Sequence, residues 1–195
     1  MKSLSGLLCF LTFSTLFAQN PDYQLLNQMF QDQVLRVVNF DSEKFGVIPP
    51  VLQEELMLVA DSMAKGHAHC LFVGVAYNTK DQAMAAAWVG SRLKRKVYHL
   101  KLQSTVSRYI GETEKNLSRL FELAERGKWI LFFDEADALF GKRTEGGENA
   151  ANKYANLETS YLLQLIREHQ VPVFMRVNRF YPELKPTFRY QIVFD

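Results

Sequence analysis

Short apolar runs that alternate with stretches of helical period constrain this chain more than any other feature in its 195 residues. Cys70 to Val75, Val97 to Leu100, Trp129 to Phe133 and Val171 to Val177 are almost wholly apolar, so each reads as a strand buried on both faces. Helices are expected between them, over Asp81 to Lys94, Glu112 to Arg126 and Lys153 to His169. Tyr190 to Phe194 makes a fifth strand. Strand, helix, strand in this rhythm means an α/β fold with a parallel sheet of about five strands, right-handed crossovers and helices on both faces, three layers in all.

Upstream, Leu26, Met29, Phe30, Val34 and Val37 recur at helical spacing, which predicts one helix from Tyr23 to Val38 and a turn from Asn39 to Gly46. Pro49-Pro50 opens a second helix with Leu52, Leu56, Val59, Ala60 and Met63 on its buried face, and Gly66 suits the left-handed stop beyond it. The chain therefore divides into an N-terminal helical segment, 19–66, and an α/β core, 67–195. Residues 1–18 stand apart. Lys2, the uncharged apolar stretch Leu4 to Phe17 and then Ala18 have the layout of a secretory leader. The apolar stretch is shorter than the ~20 residues of a spanning helix, which favours a leader over an anchor.

Composition limits the chemistry. Lys and Arg number 23 against 21 Asp and Glu, a formal charge of +2 that gives no bulk attraction for a polyanion, so no nucleic-acid partner is expected. Only Cys9 and Cys70 are present, which excludes a disulfide framework and a multi-cysteine metal cage. His67-Ala68-His69-Cys70 reads as the exposed mouth of a strand, and the run Arg92, Lys94, Arg95, Lys96 as a solvated helix end where cations meet the dipole. Met84 and Trp88, four apart on a helix, read as core. His99 and His169 have no evident partner in the sequence.

The chemistry concentrates elsewhere. Ile130-Leu131-Phe132-Phe133-Asp134-Glu135 is a buried strand that delivers two carboxylates to the sheet's carboxyl edge, where open α/β sheets bind ligands. Taken alone, the pair is equally compatible with a helix start whose acids favour the positive end of the dipole. Its company decides. Arg108 to Leu117, Phe132 to Arg143, Tyr154 to Glu158 and Tyr161 to Gln164 closely resemble the classical branch of the AAA+ ATPases, the branch of spastin, katanin and the proteasomal ATPases, and the resemblance runs from about Phe45 to the C-terminus.

The resemblance implies a P-loop NTPase-like core, ATP and Mg²⁺ as cofactors, and a polypeptide substrate drawn through a ring, hexameric in the family. It makes Asp134 the Mg²⁺ residue, Glu135 the catalytic base and Asn178 the polar residue that positions the lytic water. Tyr109-Ile110-Gly111 resembles the first pore loop, where an aromatic and an aliphatic side chain on a glycine hinge give a sequence-tolerant grip. The acid-bearing strand and the strand feeding the lysine turn are expected side by side.

Three departures from the family pattern bear on turnover. Gly74-Val75-Ala76-Tyr77-Asn78-Thr79-Lys80-Asp81 stands where a P-loop has G-x-x-x-x-G-K-[ST]. Gly74 and Lys80 are in place, but β-branched Thr79 resists a positive φ, and Asp81 sets a carboxylate where a hydroxyl would face Mg²⁺ and phosphate. The family's arginine pair reduces here to Arg189, and the chain stops at Asp195 before the family's helical lid, so the lid is expected to be absent. Loss of an arginine finger costs about 10³ in rate or more. Three functions follow: a nucleotide-driven remodelling ring with impaired hydrolysis, a non-hydrolysing scaffold subunit, or a truncated fragment of such a machine. The family's chemistry belongs in the cytoplasm, whereas residues 1–18 suggest export or membrane attachment.

Overall fold

The computed structural model describes residues 21–31, 35–40, 48–66, 68–74, 79–102, 113–140 and 150–194. The leader-like segment 1–18, the turn residues 75–78 and the pore-loop residues Tyr109, Ile110 and Gly111 lie outside them. The strands are β1 (Leu35–Val38), β2 (His69–Val73), β3 (Val97–Lys101), β4 (Ile130–Asp134), β5 (Val173–Val177) and β6 (Tyr190–Val193). The helices are α1 (Pro21–Gln31), α2 (Pro50–Ala64), α3 (Thr79–Leu93), α4 (Thr113–Gly127), the single turn α5 (Asp137–Phe140) and α6 (Ala150–Glu168), with a 3₁₀ turn at Pro182–Leu184.

The sheet has six strands in the order β1-β3-β4-β5-β2-β6. All five expected strands are present and pair in parallel. Three expectations are corrected. The start of β2, expected to be exposed, is buried at Ala68, His69 and Cys70, because β2 lies inside the sheet between β5 and β6. The segment read as one helix from Tyr23 to Val38 breaks after Gln31, and Leu35–Val38 becomes an antiparallel edge strand on β3, with Leu35 opposite Leu100 and Val38 opposite Val97. An edge strand beside a buried one gains backbone hydrogen bonds that outweigh weak helical periodicity in a short segment. Nor are β2 and β4 side by side, because β5 lies between them, so the acid pair and the lysine turn face each other across a third strand.

Alternation along the strands divides the core in two. Phe72, Phe132 and Phe174 sit on the face covered by α2 and α3, with Phe72 edge-to-face on Phe132 at a centroid distance of 6.0 Å and stacked on Phe174 at 4.9 Å. Leu100, Leu131, Phe133 and Met175 sit on the other face, against Leu120 and Phe121 of α4 and Leu162 and Ile166 of α6. Met84 and Trp88 pack into the first of these cores, as their spacing suggests, and Arg92 lies over the Trp88 ring at 5.2 Å. Helices α3 and α4 end on left-handed residues, Lys94 at φ 53° and Lys128 at φ 54°, and their last carbonyls are closed by Arg95 and Trp129.

Candidate functional site

The carboxyl edge of the sheet collects the residues singled out from sequence. β2 ends at Val73, and the Gly74 N–H donates to the Val177 carbonyl at 3.1 Å, which holds the start of the lysine turn against the residue preceding Asn178. Gly74 has no room for a side chain: a Cβ there would lie 2.5 Å from the Phe194 carbonyl oxygen and 3.2 Å from Gln82 Nε2. Thr79, Lys80 and Asp81 form the first turn of α3, a fifteen-residue helix whose N-terminal N–H groups suit an anion. Their side chains lie outside what is described.

Asp134 closes β4 and is 5% exposed. It accepts hydrogen bonds from the Glu135 N–H at 2.8 Å and from Arg176 Nε on Oδ1, and from His99 Nε2 at 2.8 Å on Oδ2. The strand registers explain the cluster. Phe133 pairs with Met175, so the next residues, Asp134 and Arg176, are neighbours on one face, while His99 lies diagonally across on β3, two residues before the partner of Asp134. Burial alone would raise the Asp134 carboxyl, but the hydrogen bonds from His99 and Arg176 and the guanidinium charge outweigh it and hold the group at about 2.

The network continues in both directions. Arg36 of β1 donates from Nε to His99 Nδ1 at 2.6 Å, so the imidazole is a neutral ring with its proton on Nε2, facing Asp134. Burial lowers the His99 pKa, against the raising effect of Asp134, and keeps the ring neutral. On the other side Arg176 Nη1 donates to Asn178 Oδ1 at 3.2 Å. The Asn178 N–H is held by both carboxylate oxygens of Asp137, at 3.0 and 2.8 Å, and Tyr181 donates its hydroxyl to the same carboxylate at 2.9 Å. One relay therefore crosses four adjacent strands, β1, β3, β4 and β5.

Glu135 follows in the left-handed region at φ 58°, with its carbonyl accepting from the Ala138 N–H at 3.1 Å. This backbone turns the chain off β4 into α5 and sets Glu135 at the edge beside Asp134. Asp134, Glu135 and Asn178 are thus brought together, and Gly74 and the start of α3 lie one strand further along the same edge. Arg176, His99, Arg36 and Asp137 were not picked out from sequence. Arg176 had a signal, a charge inside an otherwise buried apolar strand, which demands a buried partner. His169, the other unassigned histidine, faces Glu125 at 3.1 Å, away from this edge.

The N-terminus of α3 presents backbone N–H groups at the same sheet edge, the kind of donors that an anionic phosphate takes. A divalent cation does not fit Asp134, whose charge is already neutralised by a buried guanidinium and whose two oxygens accept three hydrogen bonds.

Comparisons with known proteins bear on the family and the fold. The sequence profile described as "ATPase family associated with various cellular activities (AAA)" matches residues 82–192. The chain is 33% identical over 119 residues to human spastin, covering 60% of this chain and 18% of spastin. It is 44% identical over 61 residues to Protein SUPPRESSOR OF K(+) TRANSPORT GROWTH DEFECT 1 of Arabidopsis thaliana, covering 31% and 14%. The chain thus spans about a fifth or less of these relatives. Among solved structures, the FIGL-1 AAA domain in complex with ADP superposes with a TM-score of 0.66 at 15% identity, over 90% of this chain and 62% of that one, a likeness of fold.

Proposed function

This chain belongs to the AAA family, the ATPases associated with various cellular activities, and from that premise we propose that it is a nucleotide-binding ring subunit that acts on polypeptide with impaired hydrolysis. The observation that supports this most is the gathering of Gly74, the start of α3, Asp134, Glu135 and Asn178 on one sheet edge. Gly74, Thr79, Lys80 and Asp81 would hold the phosphates, with Lys80 supplying the positive charge and the α3 N–H groups the hydrogen bonds. ATP would supply the phosphoanhydride whose cleavage drives the ring. Glu135 would polarise the attacking water and Asn178 would orient it.

The Asn178 side chain is held by Arg176 and its backbone by Asp137, so the residue is fixed before any nucleotide arrives. Asp81 opposes triphosphate binding by like charge, and the engagement of Asp134 removes the acid that would share a cation with it. These two features favour slow turnover, and in the limit a subunit that binds and assembles without hydrolysing. Tyr109, Ile110 and Gly111 would grip the polypeptide. The leader-like residues 1–18 would direct export or membrane attachment, and without them the subunit would work in the cytoplasm.

Titration with a fluorescent adenine nucleotide tests the reading, with sedimentation following assembly. Saturable binding that weakens at least tenfold in Lys80→Ala is the expected result. Absence of saturation would retire the nucleotide site.

A further inference from the structure

We infer that Arg176 takes the place of the divalent cation at this site, so that Asp134 ligates no metal and any nucleotide held at the edge is bound without dependence on Mg²⁺. The inference rests on the nucleotide reading above for its ligand, but its geometry is independent of that reading.

Four observations carry it. Arg176 and Asp134 are neighbours in register on the sheet face lined by Phe72, Phe132 and Phe174, so the pair sits against a dry aromatic floor where charges interact strongly. Arg176 is 4% exposed, about as buried as Asp134 at 5%, so guanidinium and carboxylate meet largely away from bulk water and their attraction is weakly screened. All three donors to Asp134 come from the protein itself: Arg176 Nε, the Glu135 N–H and His99 Nε2. Finally, Arg176 also binds Asn178, and His99 is pinned from behind by Arg36, so neither donor can swing aside without breaking a second contact.

A dication entering this cluster would meet a guanidinium fixed against the same carboxylate. The protein's own cation therefore supplies the neutralising charge, and because Arg176 also holds Asn178, it couples Asp134 to the residue expected to face the nucleotide's terminal phosphate.

Mn²⁺ titration of the full chain by amide NMR, with no nucleotide present, tests the geometry directly. Paramagnetic broadening at Asp134 and Glu135 is expected to be absent in the wild type and to appear in Arg176→Met, which keeps the length and loses the charge. Broadening at Asp134 in the wild type, or identical behaviour of the two proteins, would overturn the inference. Should Arg176→Met not fold, Arg176→Gln makes the same comparison. A second arm measures ADP affinity in Mg²⁺ and in EDTA: the two values should agree within about twofold, whereas tightening by about tenfold in Mg²⁺, abolished in Asp134→Asn, contradicts it. If ADP does not saturate in either buffer, the nucleotide reading fails, and the Mn²⁺ arm still decides the role of Arg176.

Discussion

The guanidinium of Arg176 is bonded to Asp134 on one side and to Asn178 on the other, which ties the end of β4 to the segment that follows β5. Truncating Arg176 would leave the Asp134 carboxylate buried without its countercharge. Arg176→Ala is expected to lower stability by about 3–5 kcal/mol, the range for breaking a buried pair from one side. Arg176→Met combined with Asp134→Leu should recover only part of that loss, because the unpaired buried charge is removed while the His99 Nε2–H and the Glu135 N–H lose their acceptor. Urea unfolding of the three proteins checks both statements.

Stability should also fall in acid through Asp134. Its carboxyl is held at about 2 in the folded chain against an ordinary value of 3.8. The stabilisation is complete above the unfolded value and is lost as pH drops from about 4 through about 2. Its size is about 2 kcal/mol at 1.36 kcal/mol per pH unit. Neutral His99, whose pKa is lowered from 6.5, acts in the same direction, stabilising above pH 6.5 and losing that contribution as pH falls through its depressed value. Unfolding free energies measured across this range should lose their lowest-pH slope in Asp134→Asn.

Asp137 organises the loop that carries Asn178 by accepting from its N–H and from the Tyr181 hydroxyl. Asp137→Ala removes the charged acceptor of both donors and should cost about 1–3 kcal/mol. Tyr181→Phe removes one donor and leaves the carboxylate bonded to Asn178, so its cost should be about 1 kcal/mol. Thermal unfolding of the two variants would show the difference.

Glu135 adopts φ 58°, a conformation in which any Cβ is unfavourable. Glu135→Gly should therefore be more stable than Glu135→Ala by about 1 kcal/mol, although both lack the carboxylate. Equal stability would mean that the backbone relaxes out of the left-handed region when the side chain is removed.

The parallel core was legible because strands covered by helices on both faces become nearly continuous apolar runs, and β2 to β5 all carry that mark. β1 was not legible. In Leu35-Arg36-Val37-Val38 only Leu35 is fully buried, while Val37 is 37% exposed at the sheet's edge, so the segment lacks a buried run and its apolar residues extend the helical spacing of α1. Strand order is likewise absent from local patterns, since nothing in the residues of β5 states that it inserts between β2 and β4. The acid pair was legible as an apolar strand ending in two carboxylates. The partners of Asp134 were not, because His99 and Arg176 come from strands 35 and 42 residues away and meet it only through register.

The state of the Asp134 carboxylate tests the account most directly. Its side-chain carbonyl carbon, followed by NMR as pH is lowered from 6 to about 3, should keep the shift of an ionised carboxylate, because the Arg176 guanidinium and the His99 N–H hold the proton off. A titration step centred near 3.8, the ordinary value for an aspartate, would show that the guanidinium does not hold this carboxylate in solution.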